Sequence, residues 1–311
     1  MRAIFLGTPQ FAVPTLDRMI AAGHDVVLVV TQPDRPKGRG NALAMPPVKD
    51  AALRHGIEVY QPERVRRPEA VERLQAIAPE IMVVVGYGQI IPQVILDIPP
   101  RGILNVHASL LPKYRGAAPI QWAVANGEPV TGVTIMRIDA GLDTGDLLRK
   151  AESAIGPEEN AVELSPRLAG MGAELLVRTL DELDSIHPEK QDNAAATYAP
   201  ILKKEDGVID WQLSASAIHN RIRGLQPWPG AYTQFRGQKM HVWSSTVAGR
   251  AADVAPGTLL LERKRLLAAA GDGLFLELRE VQMEGRKRLS GEVFANGARL
   301  SNYELLGEAK N

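Results

Sequence analysis

Three short apolar runs constrain this 311-residue chain most: "AIFLG" from Ala3, "DVVLVVT" from Asp25 and "IMVVVG" from Ile81. Each is rich in β-branched residues and lacks the polar alternation of a half-exposed strand. A strand apolar at every position is covered on both faces. Stretches with helical spacing stand between the runs, over residues 11–22 and 62–76, and a longer one follows over 160–185. Such alternation specifies an α/β domain with a largely parallel sheet. "GILNVH" and "VTIMRI" add two more strands. Ligands bind such sheets at the carboxyl ends of the strands. That rule places Gly7-Thr8, Thr31-Gln32, Gly86-Tyr87 and His107-Ala108 on one rim.

Past residue 190 the chain turns polar and proline-containing, as a linker does. A helix over 215–224 follows, then closely spaced strand-like pieces with glycine turns, the pattern of a small β-barrel. The expected division is a domain over 1–190, a linker over 191–206 and a barrel over 207–311. Lys plus Arg against Asp plus Glu count 22 and 26 over 1–206, and 14 and 10 over 207–311; the resulting −4 and +4 cancel to the overall zero. A mildly basic final third suits a polyanionic partner and also suits ordinary surface charge.

Cysteine is absent, which excludes disulfides, thiolate catalysis and cysteine metal sites. No histidine pair has a metal-site spacing, so no metal is expected. There is no glycine-rich nucleotide fingerprint after a strand. "GTPQFA" after the first strand is either an anion-binding turn at a helix start or a plain connection. No run reaches the roughly 18 apolar residues of a membrane span. With no signal-peptide pattern at the start, a cytoplasmic, monomeric protein is expected.

Two motifs carry the chemistry. In "ILNVHAS" the alternation places Ile103, Asn105, His107 and Ser109 on one strand face. An amide beside an imidazole at a strand's carboxyl end suits a developing oxyanion and proton transfer; a structural, hydrogen-bonded histidine fits the same residues. "RIDAGLDTGDLL" gathers Asp139, Asp143 and Asp146 in a glycine-containing loop. A carboxylate there can orient His107, or the loop is solvated and closed by Asx turns. Its aspartate spacing is not that of an EF-hand. A third stretch, "TQPDRPKGRGNALAMPP", is a long connection carrying Arg35, Lys37 and Arg39, either a phosphate-contacting loop or a flexible one.

Together these segments resemble the 10-formyltetrahydrofolate-dependent formyltransferases along nearly the whole chain. "FLGTPQFAVPTL", "NVHASLLPKYRGAAPIQWAVANGE" and "GVTIMRIDAGLDTGDLL" are similar to blocks shared across that family. The long loop and "IHNRIRGLQPWPGAY" resemble its members that act on charged initiator tRNA. The resemblance implies a Rossmann-like domain followed by a small OB-fold-like β-barrel. It implies transfer of the formyl group of 10-formyltetrahydrofolate to the α-amino group of initiator methionyl-tRNA, with no metal. The catalytic triplet it implies is Asn105, His107 and Asp143. The folate site it implies comprises Val84, Gly86, Gln89, Ile90, Ile91, Ser109, Leu110, Leu111, Pro112, Asp139 and Gly141. The implied tRNA contacts are Arg35, Lys37 and Arg39. The loop departs from the family's lysine-rich continuation with Asn41-Ala42-Leu43-Ala44. The clusters Arg263-Lys264-Arg265 and Arg286-Lys287-Arg288 are either further RNA contacts or solvated turns. Rival readings are a formyltransferase for a small amine, a dinucleotide-dependent oxidoreductase and a non-catalytic RNA-binding protein.

Overall fold

A computed structural model describes residues 1–37 and 42–307. The elements of the first half are β1 (Arg2–Gly7), α1 (Val13–Ala21), β2 (Asp25–Val30), a hairpin of β3 (Arg35–Lys37) and β4 (Ala42–Ala44), α2 (Pro47–Arg54), β5 (Val59–Tyr60), α3 (Pro68–Ile77), β6 (Ile81–Val85), α4 (Gln93–Leu96), β7 (Ile103–His107), β8 (Arg115–Gly116), α5 (Pro119–Ala125), β9 (Val130–Arg137), β10 (Leu147–Ala154) and α6 (Ala161–Asp181). Then come β11 (Tyr198–Ala199), α7 (Ala215–Gly224), β12 (Ala231–Phe235), β13 (Gln238–Ala251), β14 (Leu259–Glu262), β15 (Arg265–Ala269), β16 (Leu274–Met283), β17 (Leu289–Ser290) and α8 (Gly291–Gly297).

Seven strands form one sheet in the order β10-β9-β7-β6-β1-β2-β5. Neighbours from β5 through β7 pair parallel, and β9 runs antiparallel to β7. Ala3, Ile4, Phe5 and Leu6 are all fully buried, as are all but one residue of β6, which confirms coverage on both faces. One face packs Ile4, Leu6, Leu28, Met82 and Ile103 against Val71 and Leu74 of α3 and Ile95 of α4. Truncating one such core leucine to alanine costs about 2–5 kcal/mol.

The helix expected over 62–76 is shorter. Arg67, before Pro68, has ψ 145, and the helix starts only at the proline; a residue preceding proline is driven out of the helical region. The long helix stops at Asp181, with a separate 3-10 turn over Leu183–Ser185. The short helices α2, α5 and α8 and the strand β10 complete the structure.

The chain divides into two compact units: Met1–Gly116, Thr131–Ser153 and Ser165–Tyr198 in one, Ala117–Val130, Ala154–Leu164 and Ala199–Asn311 in the other. This differs from a single cut near 191–206, because two earlier stretches group with the C-terminal elements. A Cβ on Gly224 of α7 would lie 2.4 Å from the backbone nitrogen of Ala125 in α5, so only glycine admits that approach. The segment 191–206 is bonded rather than loose: Arg115 N–H donates to Thr197 O at 2.9 Å, and Leu202 is buried.

In the second unit β12-β13-β16-β15-β14 form an antiparallel sheet, with β17 on β16. Segment 303–307 joins its two edges. Tyr303 N–H donates to Leu259 O at 2.8 Å, and Gly307 N–H donates to Gln234 O at 2.9 Å. Phe235, Met240, Val242, Leu276 and Phe294 fill the interior. Ser214 and Ser290 cap α7 and α8. The β14–β15 turn is the two residues Arg263 and Lys264, at φ 47 and 72.

Candidate active site

The rim expected from the strand ends is knitted by side chains. Thr8 Oγ1 and Gln32 Nε2 both donate to Tyr87 O, at 3.0 and 3.1 Å. The Tyr87 ring is buried with its hydroxyl unpartnered among the described residues, and burial pushes the phenol above its ordinary range.

His107 ends β7, and the chain leaves the strand there, so Ser109 does not continue the polar face. The Ser109 hydroxyl instead donates to Lys113 O at 2.6 Å, and Ser109 O accepts from Thr134 Oγ1 at 2.6 Å. Thr134 lies opposite His107 on β9, and its hydroxyl also accepts from Leu111 N–H at 3.2 Å. The turn closes with Lys113 N–H donating to Leu110 O, across a cis Leu111–Pro112 bond. It brings Tyr114, Arg115 and Gly116 back to the site.

These three residues hold the predicted pair. His107, 5% exposed, has Nε2 2.9 Å from Tyr114 O. A carbonyl only accepts, so Nε2 carries a proton. Nδ1 is thus the nitrogen turned toward Asp143, 3.7 Å from its Oδ2. That distance is an ion-pair separation, longer than a hydrogen bond. The same Oδ2 accepts from Gly116 N–H at 2.8 Å. Asp143 sits at φ 52, a left-handed conformation that aspartate tolerates better than most side chains. Asn105 is half-buried on β7, and its amide has no hydrogen-bond partner among the described residues. Asn105, His107 and Asp143 are therefore brought to one place, with one amide free to meet a ligand.

The loop bearing Asp143 is closed by its own residues. Asp139 Oδ1 accepts from Gly141 N–H at 3.0 Å and Thr144 Oγ1 at 2.7 Å. A Cβ on Gly141 would lie 1.9 Å from Thr144 Oγ1, so glycine is required there.

The predicted folate residues divide by environment. Val84, Ile91 and Leu111 are buried in the core. Gln89 is spent on the neighbouring turn, accepting from Val65 N–H at 2.8 Å. Ile90 is 89% exposed, and Leu142, beside Gly141, is 61% exposed. Leu110 packs over Gly132, Pro112 is half-buried, and Gly86 has φ 57 beside Pro9. These segments offer walls and backbone rather than free side-chain hydrogen bonds from Gln89 or Ser109. Of the predicted tRNA contacts, Arg35 pairs with Glu63 at 3.2 Å. Arg39 and the Lys37 side chain lie outside the described residues.

Sequence reasoning missed Tyr114, Gly116, Thr134 and Gln191 as parts of this site. A threonine inside the apolar "VTIMRI" run was the one available signal.

Residues 1–180 match the Formyl transferase family, and residues 201–299 match the Formyl transferase C-terminal domain. The chain belongs to the formyl transferase family, among its methionyl-tRNA formyltransferases. It is 63% identical to the methionyl-tRNA formyltransferase of Solibacter usitatus, across 99% of each chain. It is 56% identical to that of Koribacter versatilis, again across 99% of each. A solved N-formyltransferase from Helicobacter canadensis, in complex with folinic acid and dTDP-3-aminofucose, shares the fold with a TM-score of 0.68 at 18% identity, covering 91% of this chain and 99% of that one.

Proposed function

We propose that this chain transfers the formyl group of 10-formyltetrahydrofolate to the α-amino group of methionine esterified to initiator tRNA. The observation that carries the reading is 63% identity to a methionyl-tRNA formyltransferase over 99% of the chain. The amine attacks the formyl carbon, and negative charge develops on the formyl oxygen. Collapse breaks the bond to N10, which gains a proton while the attacking nitrogen loses one. The unpartnered Asn105 amide donates to the developing oxyanion, stabilising the transition state more than the ground state. His107 Nε2–H is committed to Tyr114 O, so Nδ1 meets the substrate side. A proton on Nδ1 meets the oxyanion, and the Asp143 carboxylate, 3.7 Å away, stabilises the resulting imidazolium by charge.

The residues present fit the donor. Asp139 and Gly141 close a loop with the exposed Leu142 at its edge, and Ile90 stands exposed on the rim segment. These are walls for a pterin, and backbone groups of 84–91 and 139–143 read its edge. Positioning the amine against the formyl group supplies much of the rate. The antiparallel unit is read as an OB-type barrel that, with the 31–47 loop, holds the tRNA through phosphates. The protein works as a cytoplasmic monomer.

The test is incubation of the purified chain with 10-formyltetrahydrofolate and either methionyl-tRNA or an amino-sugar nucleotide. Formyl-methionine on the tRNA is expected. Formylation of the sugar amine alone would overturn the reading.

A further inference from the structure

We infer that Gln191 is a positioning residue for the transfer step, fixing the Asp143 loop from a part of the chain that looked like a linker. The inference rests on the reading of Asp143 as His107's catalytic partner. Gln191 Nε2 donates to Asp143 O at 2.9 Å and to Gly145 O at 2.7 Å. Its Oε1 accepts from Arg115 Nε at 3.0 Å and Nη2 at 2.8 Å. Both donors and both acceptor sites of the amide are therefore used. The amide orientation is forced, because a guanidinium only donates and backbone carbonyls only accept.

Arg115 is 2% exposed and forms no ion pair among the described residues. Asn193 Oδ1 is its other acceptor, at 2.9 Å. A guanidinium buried on neutral acceptors is a rigid reference point, and Gln191 transmits its position to the loop. The loop needs that help. Asp143 is held at positive φ, and such conformers persist only where several contacts fix them. Gly116 N–H holds the Asp143 carboxylate and Gln191 holds its carbonyl, so one residue is gripped at both ends.

Gln191→Glu separates this role from mere satisfaction of Arg115. A carboxylate serves the guanidinium better, by a charge-assisted pair. It cannot donate, and it sets an oxygen against the carbonyls of Asp143 and Gly145. If Gln191 only satisfies Arg115, the variant is neutral. If it positions the loop, kcat falls about 10- to 100-fold with KM for both substrates little changed. Asp143→Asn and the double variant complete the cycle, measured on the full chain with 10-formyltetrahydrofolate and methionyl-tRNA. The double variant is expected to be no slower than Asp143→Asn alone, since Gln191 acts through that residue. A Gln191→Glu kcat within twofold of the parent, or two effects that multiply, overturns the inference. Unchanged turnover in Asp143→Asn refutes instead the reading of the catalytic group. Should Gln191→Glu melt below the assay temperature, the cycle is run at a lower temperature where every variant is folded, under the same criteria.

Discussion

Asp143 and the pair Arg263-Lys264 are non-glycine residues in the left-handed region, and their surroundings differ. Asp143 has its carboxylate and its carbonyl bonded, and its side chain is 17% exposed. Arg263-Lys264 forms the bare tip of a two-residue hairpin, a position where Asn-Gly is favoured. The Lys264 side chain is 78% exposed, and its contact with Glu292 at 3.2 Å is a surface pair. One loop spends its contacts on geometry; the other accepts an awkward backbone and keeps its charge. Bond-making demands fixed positions, whereas a phosphate contact, the role proposed for Arg263 and Lys264, needs only charge within reach.

The largest effects should come from the fixed side of this contrast. His107→Ala and Asp143→Ala are each expected to lower kcat about 10²- to 10⁴-fold, the range for lost general acid–base help, with folate KM nearly constant. Steady-state kinetics decide it, and near-normal turnover would break the contrast. Asn105→Ala is expected to cost about 10²-fold in kcat, as one lost oxyanion donor does.

The charged side should respond in affinity and stability. Replacing Arg263 with Asn and Lys264 with Gly is expected to raise KM for methionyl-tRNA several-fold while kcat holds. The log–log salt dependence of tRNA binding should become shallower by about two. The same double variant is expected to be more stable by about 1 kcal/mol, raising Tm by about 2–4 °C. A lower Tm would mean that the tip is supported after all.

A smaller effect concerns the base of the 31–47 connection. Asp34 accepts from Gln61 Nε2 at 2.8 Å and pairs with Lys49 at 2.6 Å. The Gln61 bond, then Lys49, hold its carboxyl below the ordinary 3.8. Its folded value is lowered, so its stabilisation is complete above 3.8 and is lost as pH falls through the folded value. Proteolysis of this connection should therefore be constant from pH 8 to about pH 5. An onset of cleavage within that window would contradict the anchor.

Much of this was legible in the sequence. β1, β2 and β6 declare themselves because burial on both faces demands unbroken apolar runs. α7 over Ala215–Gly224 also stands where expected. That Asn105 and His107 lie together was legible because strand alternation sets both on one face. β10 was not, since "LLRKAESA" alternates partly buried or buried with exposed positions after its two buried leucines, as a strand at the end of a sheet does. Gln191 was invisible for a different reason. It lies 48 residues from Asp143 and belongs to no periodic pattern, so only tertiary contact gives it a role. Ser109 misled because a polar residue on the expected face was spent on shaping the turn.

The tripeptide Tyr114-Arg115-Gly116 has a consequence for how such sequences can vary. Its carbonyl, guanidinium and amide reach His107, Gln191 and Asp143 respectively. Two of these contacts use backbone atoms, a carbonyl that every residue carries and an N–H that all but proline carry. Substitutions between His107 and Tyr114 that spare the Ser109 hydroxyl can thus leave these two backbone contacts in place. A single inserted or deleted residue there displaces all three contacts together. The distance along the chain, more than the letters within it, is what descent must preserve in this turn.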